Sequence, residues 1–335
     1  MAKYNKYVQI GPTAAAGPAA EIAMVKVLEK YKNVVAVLSD VTMPALDWFK
    51  KNAPERIVEC GIAEANAAVI AGGLAAEGFI PFLNGFSFAT IERAYNQIRQ
   101  SILVDRFNVK IIARDGVWGP LGISHDIVEG IGCTRVLPNL VILNAADIVE
   151  AEKAFIAMAD YIGPVYFRYE HSAPDPLRIF TNDYPFEIGK AYAIKDGKDA
   201  TIIATGYMVT EAIRAIDILE KEGLDVGIIN MSSLKPFVEE AIIKAAEETG
   251  AIVTAENGTI IGGLGEGVAA VLAENMPVSL VRVGVEDEFS QSARLSAEKD
   301  ELKAFFGLSA EDIAVSVKEC MNKRDHLQRK NRNRI

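Results

Sequence analysis

Short apolar runs rich in valine and isoleucine recur along this chain, and each is bounded by polar residues or glycine. They lie at residues 34–38, 109–113, 140–143, 165–167, 200–204, 226–229, 251–255 and 279–283. The runs are continuous rather than alternating, which is typical of strands buried on both faces of a parallel sheet. Ala-rich segments of helical length separate them. The pattern predicts an α/β fold with two consecutive open parallel or mixed sheets and helices on both faces.

A segment between positions 171 and 185 interrupts this pattern, because it holds Pro174, Pro176 and Pro185 and has no apolar periodicity. Such a composition is typical of a connection between domains. After the last predicted helix, which we expect near residues 310–322, a basic tail without an apolar face is expected to be solvated or disordered. The predicted divisions are a first domain over 1–174, a linker over 175–188, a second domain over 189–320 and the tail over 321–335.

The charge of the chain is unevenly distributed. Lys and Arg number 35 against 45 Asp and Glu, for a net charge of −10, yet six of the basic residues fall in the last thirteen positions. The remainder is therefore strongly acidic, and because affinity for nucleic acid rests on clustered Lys and Arg, we expect no nucleic-acid partner. Three cysteines without CxxC spacing and the lack of an apolar run of about 18 residues predict a cytoplasmic protein without membrane association.

Glu64 begins a predicted helix whose other residues are almost all small or apolar. Ala67, Ala68 and Ala71 share its face at helical spacing. Such a face lets another helix or a flat ligand come close, and a carboxyl group in this setting can donate a proton to a ring nitrogen. The alternative is an exposed first-turn glutamate that interacts favourably with the helix dipole.

His125 lies on a glycine-rich loop between a predicted strand and a predicted helix, and it is one of only three histidines. A histidine in such a loop can exchange protons with a substrate hydroxyl. The alternative is an ordinary surface or capping residue.

Polar residues follow several of the apolar runs directly. In open parallel sheets, ligands bind beyond the carboxyl ends of the strands, so these positions predict which edge of the first sheet holds a site. Taken singly, each could equally be a helix cap or a turn residue. The residues concerned are Asp40, Arg114, Asp115, Asn144 and Arg168.

No convincing metal or diphosphate motif occurs in the sequence. Asp115, Gly116 and Asn139 imitate the GDG…N pattern, but Arg114 precedes them, and a guanidinium opposes cation binding. There is no GxxxxGK[ST] motif, and the glycines of 262–267 lack GxGxxG spacing. We therefore expect the chain to lack a diphosphate-binding motif of its own.

The order of several segments resembles the C-terminal half of transketolases, over about residues 15–320. That half consists of a pyrimidine-binding domain and a transketolase C-terminal domain. The resemblance implies a thiamine-diphosphate-dependent transferase that moves a two-carbon ketol unit from a ketose phosphate to an aldose. With the GDG…N motif missing, it implies the C-terminal subunit of a split transketolase, in an α2β2 assembly in which Mg²⁺ is bound by a separate N-terminal subunit. The segments are CGIAEANAAVIAGGLAAEGFIPF, GFSFATIERAYNQIR, GISHDIVEGIGCTRVLPNLVILNAADIVEAEKAF, GPVYFRYE and ENGTIIGGLGEGVA.

The resemblance also implies roles for individual residues. Glu64 matches the glutamate that hydrogen-bonds the aminopyrimidine ring of the cofactor, and Phe86 matches the aromatic residue that stacks on that ring. Asp40 matches a residue near the cofactor at the end of the first strand. His125 matches the active-site histidine, and Arg168 matches the arginine that holds the sugar phosphate.

Two departures from the family pattern bear on the substrate. Leu121 replaces the aspartate that contacts a donor hydroxyl, and Arg114 replaces a phosphate-binding histidine. Arg114 and Arg168 together could hold a phosphate or a sulfonate, since guanidinium groups suit both, or they could simply pair with Asp115 and Glu170. These departures predict an unusual donor, such as a branched sugar phosphate or a sulfo-sugar.

Two other functions stay open. One is the β subunit of a 2-oxoacid dehydrogenase, although the segments RAYNQIR and GISHDIVEG are closer to transketolase. The other is a non-catalytic assembly partner. The second domain offers no acid, base or nucleophile in a convincing setting, and we expect it to pack subunits together.

Overall fold

The computed structural model describes residues 3–14, 17–86, 88–114, 116–118, 122–170, 173–289 and 299–332. Its strands are β1 (Val8–Thr13), β2 (Val34–Leu38), β3 (Ile57–Glu59), β4 (Ile80–Phe86), β5 (Lys110–Arg114), β6 (Val141–Asn144), β7 (Val165–Tyr169), β8 (Leu177–Phe180), β9 (Tyr192–Lys195), β10 (Ala200–Ala204), β11 (Val226–Asn230), β12 (Ser233–Lys235), β13 (Ala251–Thr259) and β14 (Ser279–Val285).

Helices alternate with most of these strands. They are α1 (Gly17–Lys30), α2 (Leu46–Asn52), α3 (Glu64–Ala76), α4 (Tyr95–Ile98), α5 (Gly130–Arg135), α6 (Ile148–Asp160), α7 (Met208–Lys221), α8 (Glu239–Thr249), α9 (Leu264–Asn275), α10 (Lys299–Phe306) and α11 (Ala310–Arg332), with a 3₁₀ turn at Pro54–Arg56 and π-helical turns at Phe88–Arg93 and Arg99–Leu103.

Among the described residues, the strands of the first sheet lie in the order β12-β6-β7-β5-β4-β2-β3. Strands β2 to β7 run parallel to their neighbours, whereas β12 pairs antiparallel with β6. Every residue of β2 and of β6 is buried, as expected for strands that helices cover on both faces.

The second sheet has the described order β14-β13-β10-β11-β9, and only β9 pairs antiparallel with its neighbour there. Strands β10 and β11 are buried along their whole length. The predicted α/β class, with two consecutive parallel or mixed sheets, is confirmed.

The predicted linker contains regular structure, because strand β8 lies within it and pairs antiparallel with β1. Two groups on α6 and its cap bind this segment. Asp147 Oδ2 accepts the backbone N–H groups of Ile179 (2.7 Å) and Phe180 (2.8 Å), and the Tyr184 hydroxyl donates to Glu150 (3.0 Å). The connection between the two sheets is thus bound to the surface of the first.

The basic tail also differs from the expectation. Helix α11 does not end near residue 322 but continues to Arg332. Arg324 fixes its course, since its Nη1 donates to the carbonyl oxygens of Asp199 (2.6 Å) and Thr249 (3.0 Å) in the second domain. Lys, Arg, Gln and Leu all have high helix propensity, so a helix anchored there extends readily.

Candidate active site

The carboxyl ends of the central strands meet at one edge of the first sheet. Phe86 at the end of β4 is in register with Arg114 on β5, and Arg114 is in register with Tyr169 on β7. Asp40 lies two residues beyond the end of β2, which neighbours β4. The structure therefore brings the backbones of Asp40, Arg114, Asn144 and Arg168, the predicted strand-end residues that it describes, to a common edge.

Glu64 is the first residue of α3 and is only 8% exposed. The alternative of an exposed first-turn glutamate therefore does not describe it. Ala67, Ala68 and Ala71 on the same face are fully buried. Gly72 directly follows Ala71, and a Cβ there would overlap the carbonyl oxygen of Ser101, so the small residues of α3 allow another helical segment to approach closely.

Arg93 was not identified from the sequence, yet its Nη1 lies 3.7 Å from Glu64 Oε2. Its side chain is 57% exposed at the end of the π-helical turn after β4, so it sets a positive charge at the rim beside the buried carboxylate. The only sequence signal was an arginine in IERAYNQIR, and nothing distinguished it there from Arg99.

Glu59, at the end of β3, connects the loops that carry Asp40 and Glu64. Its Oε1 accepts the backbone N–H groups of Asp40 (3.0 Å) and Gly61 (2.9 Å). Asp40 adopts a positive φ of 54°, a conformation that such a local hydrogen bond helps to hold. The Asp40 side chain is exposed at this edge.

His125 lies on a turn in which its backbone N–H donates to the Gly122 carbonyl oxygen (2.8 Å). Its ring Nδ1 shares a hydrogen bond with the Ser124 hydroxyl (2.8 Å), and the residue is half-buried. A cavity of about 230 Å³ next to this turn has Glu92, Asp126 and Glu129 in its lining. Carboxylates suit the hydroxyl-bearing part of a sugar better than its anionic end.

Arg168 is almost fully buried at 1% exposure. Its Nη1 donates to Glu170 Oε1 at 2.7 Å, and its Nη2 donates to the backbone carbonyl oxygen of Asn257 in the second domain. The structural pairing with Glu170, the alternative role for this arginine, is thus present. Binding of a sugar phosphate by Arg168 stays a prediction.

Four predicted residues fall wholly or partly outside the described part of the chain. The backbones of Phe86 and Arg114 are described, but their side chains are not, and Asp115 and Leu121 lie wholly outside. Cofactor stacking by Phe86, anion binding by Arg114 and the effect of Leu121 on the donor stay predictions.

Within the described ranges, no group of three or more His, Cys, Asp or Glu side chains could hold a metal ion. Asn139, part of the imitated GDG…N pattern, instead donates its side-chain amide to the Leu103 carbonyl oxygen (2.9 Å). No helix among the described residues is long and apolar enough to cross a membrane.

Comparison with known families gives two consecutive matches. The transketolase pyrimidine-binding domain family matches residues 13–175, and the transketolase C-terminal domain family matches residues 189–313. The chain belongs to the transketolase family.

Individual transketolase relatives agree with this assignment over most of their length. The chain is 36% identical over 300 residues to a 6-deoxy-6-sulfo-D-fructose transketolase subunit of Clostridium sp. (strain MSTE9), covering 89% of this chain and 91% of the relative. It is 36% identical over 297 residues to an apulose-4-phosphate transketolase subunit of Phocaeicola vulgatus, covering 87% and 93%. A solved structure described as a split gene transketolase, inactive β4 tetramer, matches with a TM-score of 0.82 and 35% identity, covering 93% of this chain and 99% of that one.

These findings confirm the predicted transketolase family and the transferase class. The relatives described above are subunits of split transketolases, and they favour neither a 2-oxoacid dehydrogenase nor a non-catalytic partner.

Proposed function

We propose that this chain is the C-terminal subunit of a thiamine-diphosphate-dependent transketolase. It would transfer a two-carbon ketol unit from a ketose phosphate to an aldose acceptor, and only together with a separate N-terminal subunit. The proposal depends on the Glu64 carboxyl group, which is buried near the edge where the carboxyl ends of the first sheet's strands meet. The exposed Arg93 side chain lies beside it.

The described residues fit one half of such a cofactor site. Glu64 and Asp40 come from adjacent loops that Glu59 connects, and a Cβ at Gly61 between them would meet no atom within 4 Å, so this edge has open space. Ile62 in the same loop is 72% exposed, which suits an apolar surface that a ligand or a second chain covers.

Thiamine diphosphate, when bound, supplies the nucleophilic carbon that takes up the ketol unit. Glu64 would hydrogen-bond the pyrimidine ring through its carboxyl group, Phe86 would stack on the ring, and Asp40 would lie near the cofactor. The metal and the diphosphate would be held by the N-terminal subunit. The described residues of this chain contain no group of three or more His, Cys, Asp or Glu side chains that could hold a metal ion. An α2β2 assembly would join the two halves.

The substrate end of the site would lie toward the turn of His125. This histidine would exchange protons with substrate hydroxyls, while Arg114 and Arg168 would hold the anionic group. The departures at Leu121 and Arg114 favour a branched sugar phosphate or a sulfo-sugar over a common ketose. Two relatives named for donors of these kinds support the same choice.

The test combines this chain with its N-terminal partner subunit, thiamine diphosphate and Mg²⁺, and screens ketose phosphates, sulfo-sugars and 2-oxoacids as donors. Glu64→Gln keeps the shape of the side chain but removes the acid, and we expect transfer to fall by about 10²-fold or more. Glu77→Gln, at the exposed far end of the same helix, is the matched control and should be silent.

Unchanged transfer in the Glu64→Gln mixture would contradict the proposal and point to a non-catalytic partner. Decarboxylation of 2-oxoacids without ketol transfer would favour a dehydrogenase subunit. Transfer from xylulose 5-phosphate with no preference for other ketoses would remove the prediction of an unusual donor.

A further inference from the structure

The loop that carries His125 is anchored at both ends on the second domain. At its start, the Val117 N–H donates to Asn257 Oδ1 (3.1 Å), and at its end the Val128 carbonyl oxygen accepts the N–H of Thr259 (2.7 Å). Gly116 and Ile127 pair as an antiparallel bridge that closes the loop between these two contacts. One short stretch at the end of β13 therefore binds both ends of the loop.

The apolar side chains of the loop reinforce these hydrogen bonds. Val117, Trp118 and Val128 are buried in the hydrophobic cluster that forms the core of the second domain. The Trp118 ring meets the Tyr207 ring edge-on, with centroids 5.4 Å apart. Burial of a tryptophan removes a large apolar surface from water, so these contacts stabilise the packing of the loop on the second domain.

Asn257 connects this loop to Arg168. It is fully buried, its Nδ2 donates to Glu170 Oε2 (2.8 Å), and its backbone carbonyl oxygen accepts from the Arg168 guanidinium. Glu170 Oε1 also accepts hydrogen bonds from Arg168 Nη1 (2.7 Å) and Asn144 Nδ2 (3.0 Å). The Asn257 side chain thus joins the base of the histidine loop to Glu170, which in turn accepts a hydrogen bond from Arg168.

Close approach of the backbones makes these contacts possible. Gly116 has a φ of +100°, and a Cβ there would overlap the side-chain amide of Asn257. A Cβ at Gly258 would come within 2.9 Å of the Val128 carbonyl oxygen. Glycine on both sides of the contact shows that the two segments are fitted to each other.

We propose that Asn257 is a positioning residue of the second domain, which sets the place of the His125 loop and of Arg168 relative to the substrate. This inference rests on the proposed function for its catalytic meaning. Its structural part concerns only the order of the loop, which can be measured without a partner subunit or a substrate.

The test is amide hydrogen exchange on the full chain, read over residues 116–128, in the wild type and in Asn257→Ala. Loss of one buried hydrogen bond at the base should speed exchange in this segment by about tenfold or more. Asn230→Ala is the matched control, because Asn230 is equally buried and its amide also donates to a glutamate of the first domain, Glu150, rather than to a described residue of the loop. It should leave exchange in this segment unchanged.

Gly116→Ala perturbs the same contact from the loop side and keeps the test valid if Asn257→Ala does not fold. With the N-terminal subunit present, both variants should raise the KM for the donor several-fold while the Kd for thiamine diphosphate stays at the wild-type value. A merely structural residue would instead lower the active fraction and leave KM unchanged.

Exchange in residues 116–128 that is unchanged in both variants would overturn the proposal, as would an equal increase in Asn230→Ala. Faster exchange in a chain that shows no transfer activity with any donor would refute the proposed function and leave the positioning role of Asn257 intact.

Discussion

Glu150 makes the stability of this protein depend on pH in a way that can be calculated. The residue is fully buried on α6 and accepts hydrogen bonds from Asn230 Nδ2 (2.8 and 2.9 Å), the Ala146 N–H (2.8 Å) and the Tyr184 hydroxyl (3.0 Å). Burial, with a smaller contribution from the nearby Asp147 carboxylate, raises the pKa of Glu150 from 4.5 to about 7.

The sign follows from proton binding. Between pH 4.5 and 7 the folded chain retains a proton at Glu150 that the unfolded chain has released, so stability falls as pH rises through this window. A pKa difference of roughly 2.5 units corresponds to about 3 kcal/mol. For a chain of this length, that is about 4 °C in Tm.

Glu150→Gln mimics the neutral acid and should remove this dependence. In the described structure Asn230 Oδ1 is buried without a hydrogen-bond partner, so after rotation of the Asn230 amide, the new amide of residue 150 can donate to it. We therefore expect the Tm of Glu150→Gln relative to wild type to rise by about 4 °C between pH 5 and pH 8.

Thermal unfolding followed by circular dichroism across this pH range is the measurement. Glu247→Gln, an exposed carboxylate on α8, is the control and should track the wild type. A difference between Glu150→Gln and wild type that stays constant from pH 5 to pH 8, or that grows in favour of the wild type, would refute the reasoning.

Two further predictions concern packing. Gly72→Ala should lower the free energy of unfolding by about 1–3 kcal/mol, because the new Cβ would overlap Ser101. Gly73→Ala has nothing within 4 Å of its Cβ, so it should be neutral or stabilise α3 by up to about 1 kcal/mol. Equal effects of the two variants in urea denaturation would contradict this prediction. Arg324→Ala should lower the free energy of unfolding by about 1–3 kcal/mol, because it removes two hydrogen bonds to the second domain. Lys330 is exposed on the same helix, and Lys330→Ala should leave the free energy of unfolding unchanged. A thermal melt of Arg324→Ala that overlays that of the wild type would show that these hydrogen bonds contribute nothing to stability.

The buried parallel strands could be predicted from the sequence because a short, continuous run of apolar residues is typical of a strand that is buried on both faces. Residues 34–38 and 200–204 match β2 and β10 at both ends. Strand β4 was missed, since Pro81, Asn84 and Gly85 break its apolar run. Asn84 is nevertheless buried, and its amide donates to the Thr42 carbonyl oxygen (2.9 Å). The three-residue strands β3 and β12 are too short to leave a pattern.

The candidate site was predictable where local sequence creates the chemical setting. Glu64 stands out because a carboxylate among alanines on one helix face is unusual. Arg93, Glu59 and Asn257 could not be predicted from the sequence. Their side chains contact residues that are distant along the chain or hydrogen-bond to backbone groups, and such contacts leave no local sequence pattern. Asn257 in particular acts across the boundary between the two domains, where sequence periodicity carries no information.

Because of strand β12, the chain cannot be divided at one position into two fragments that each contain a complete sheet. Residues 233–235 belong to the C-terminal region of the chain, yet they complete the sheet of the N-terminal region by pairing with β6. A fragment ending anywhere in the linker would expose the unpaired backbone groups of β6, and such an edge readily recruits strands from other molecules. Excising the first half for separate study would therefore invite aggregation.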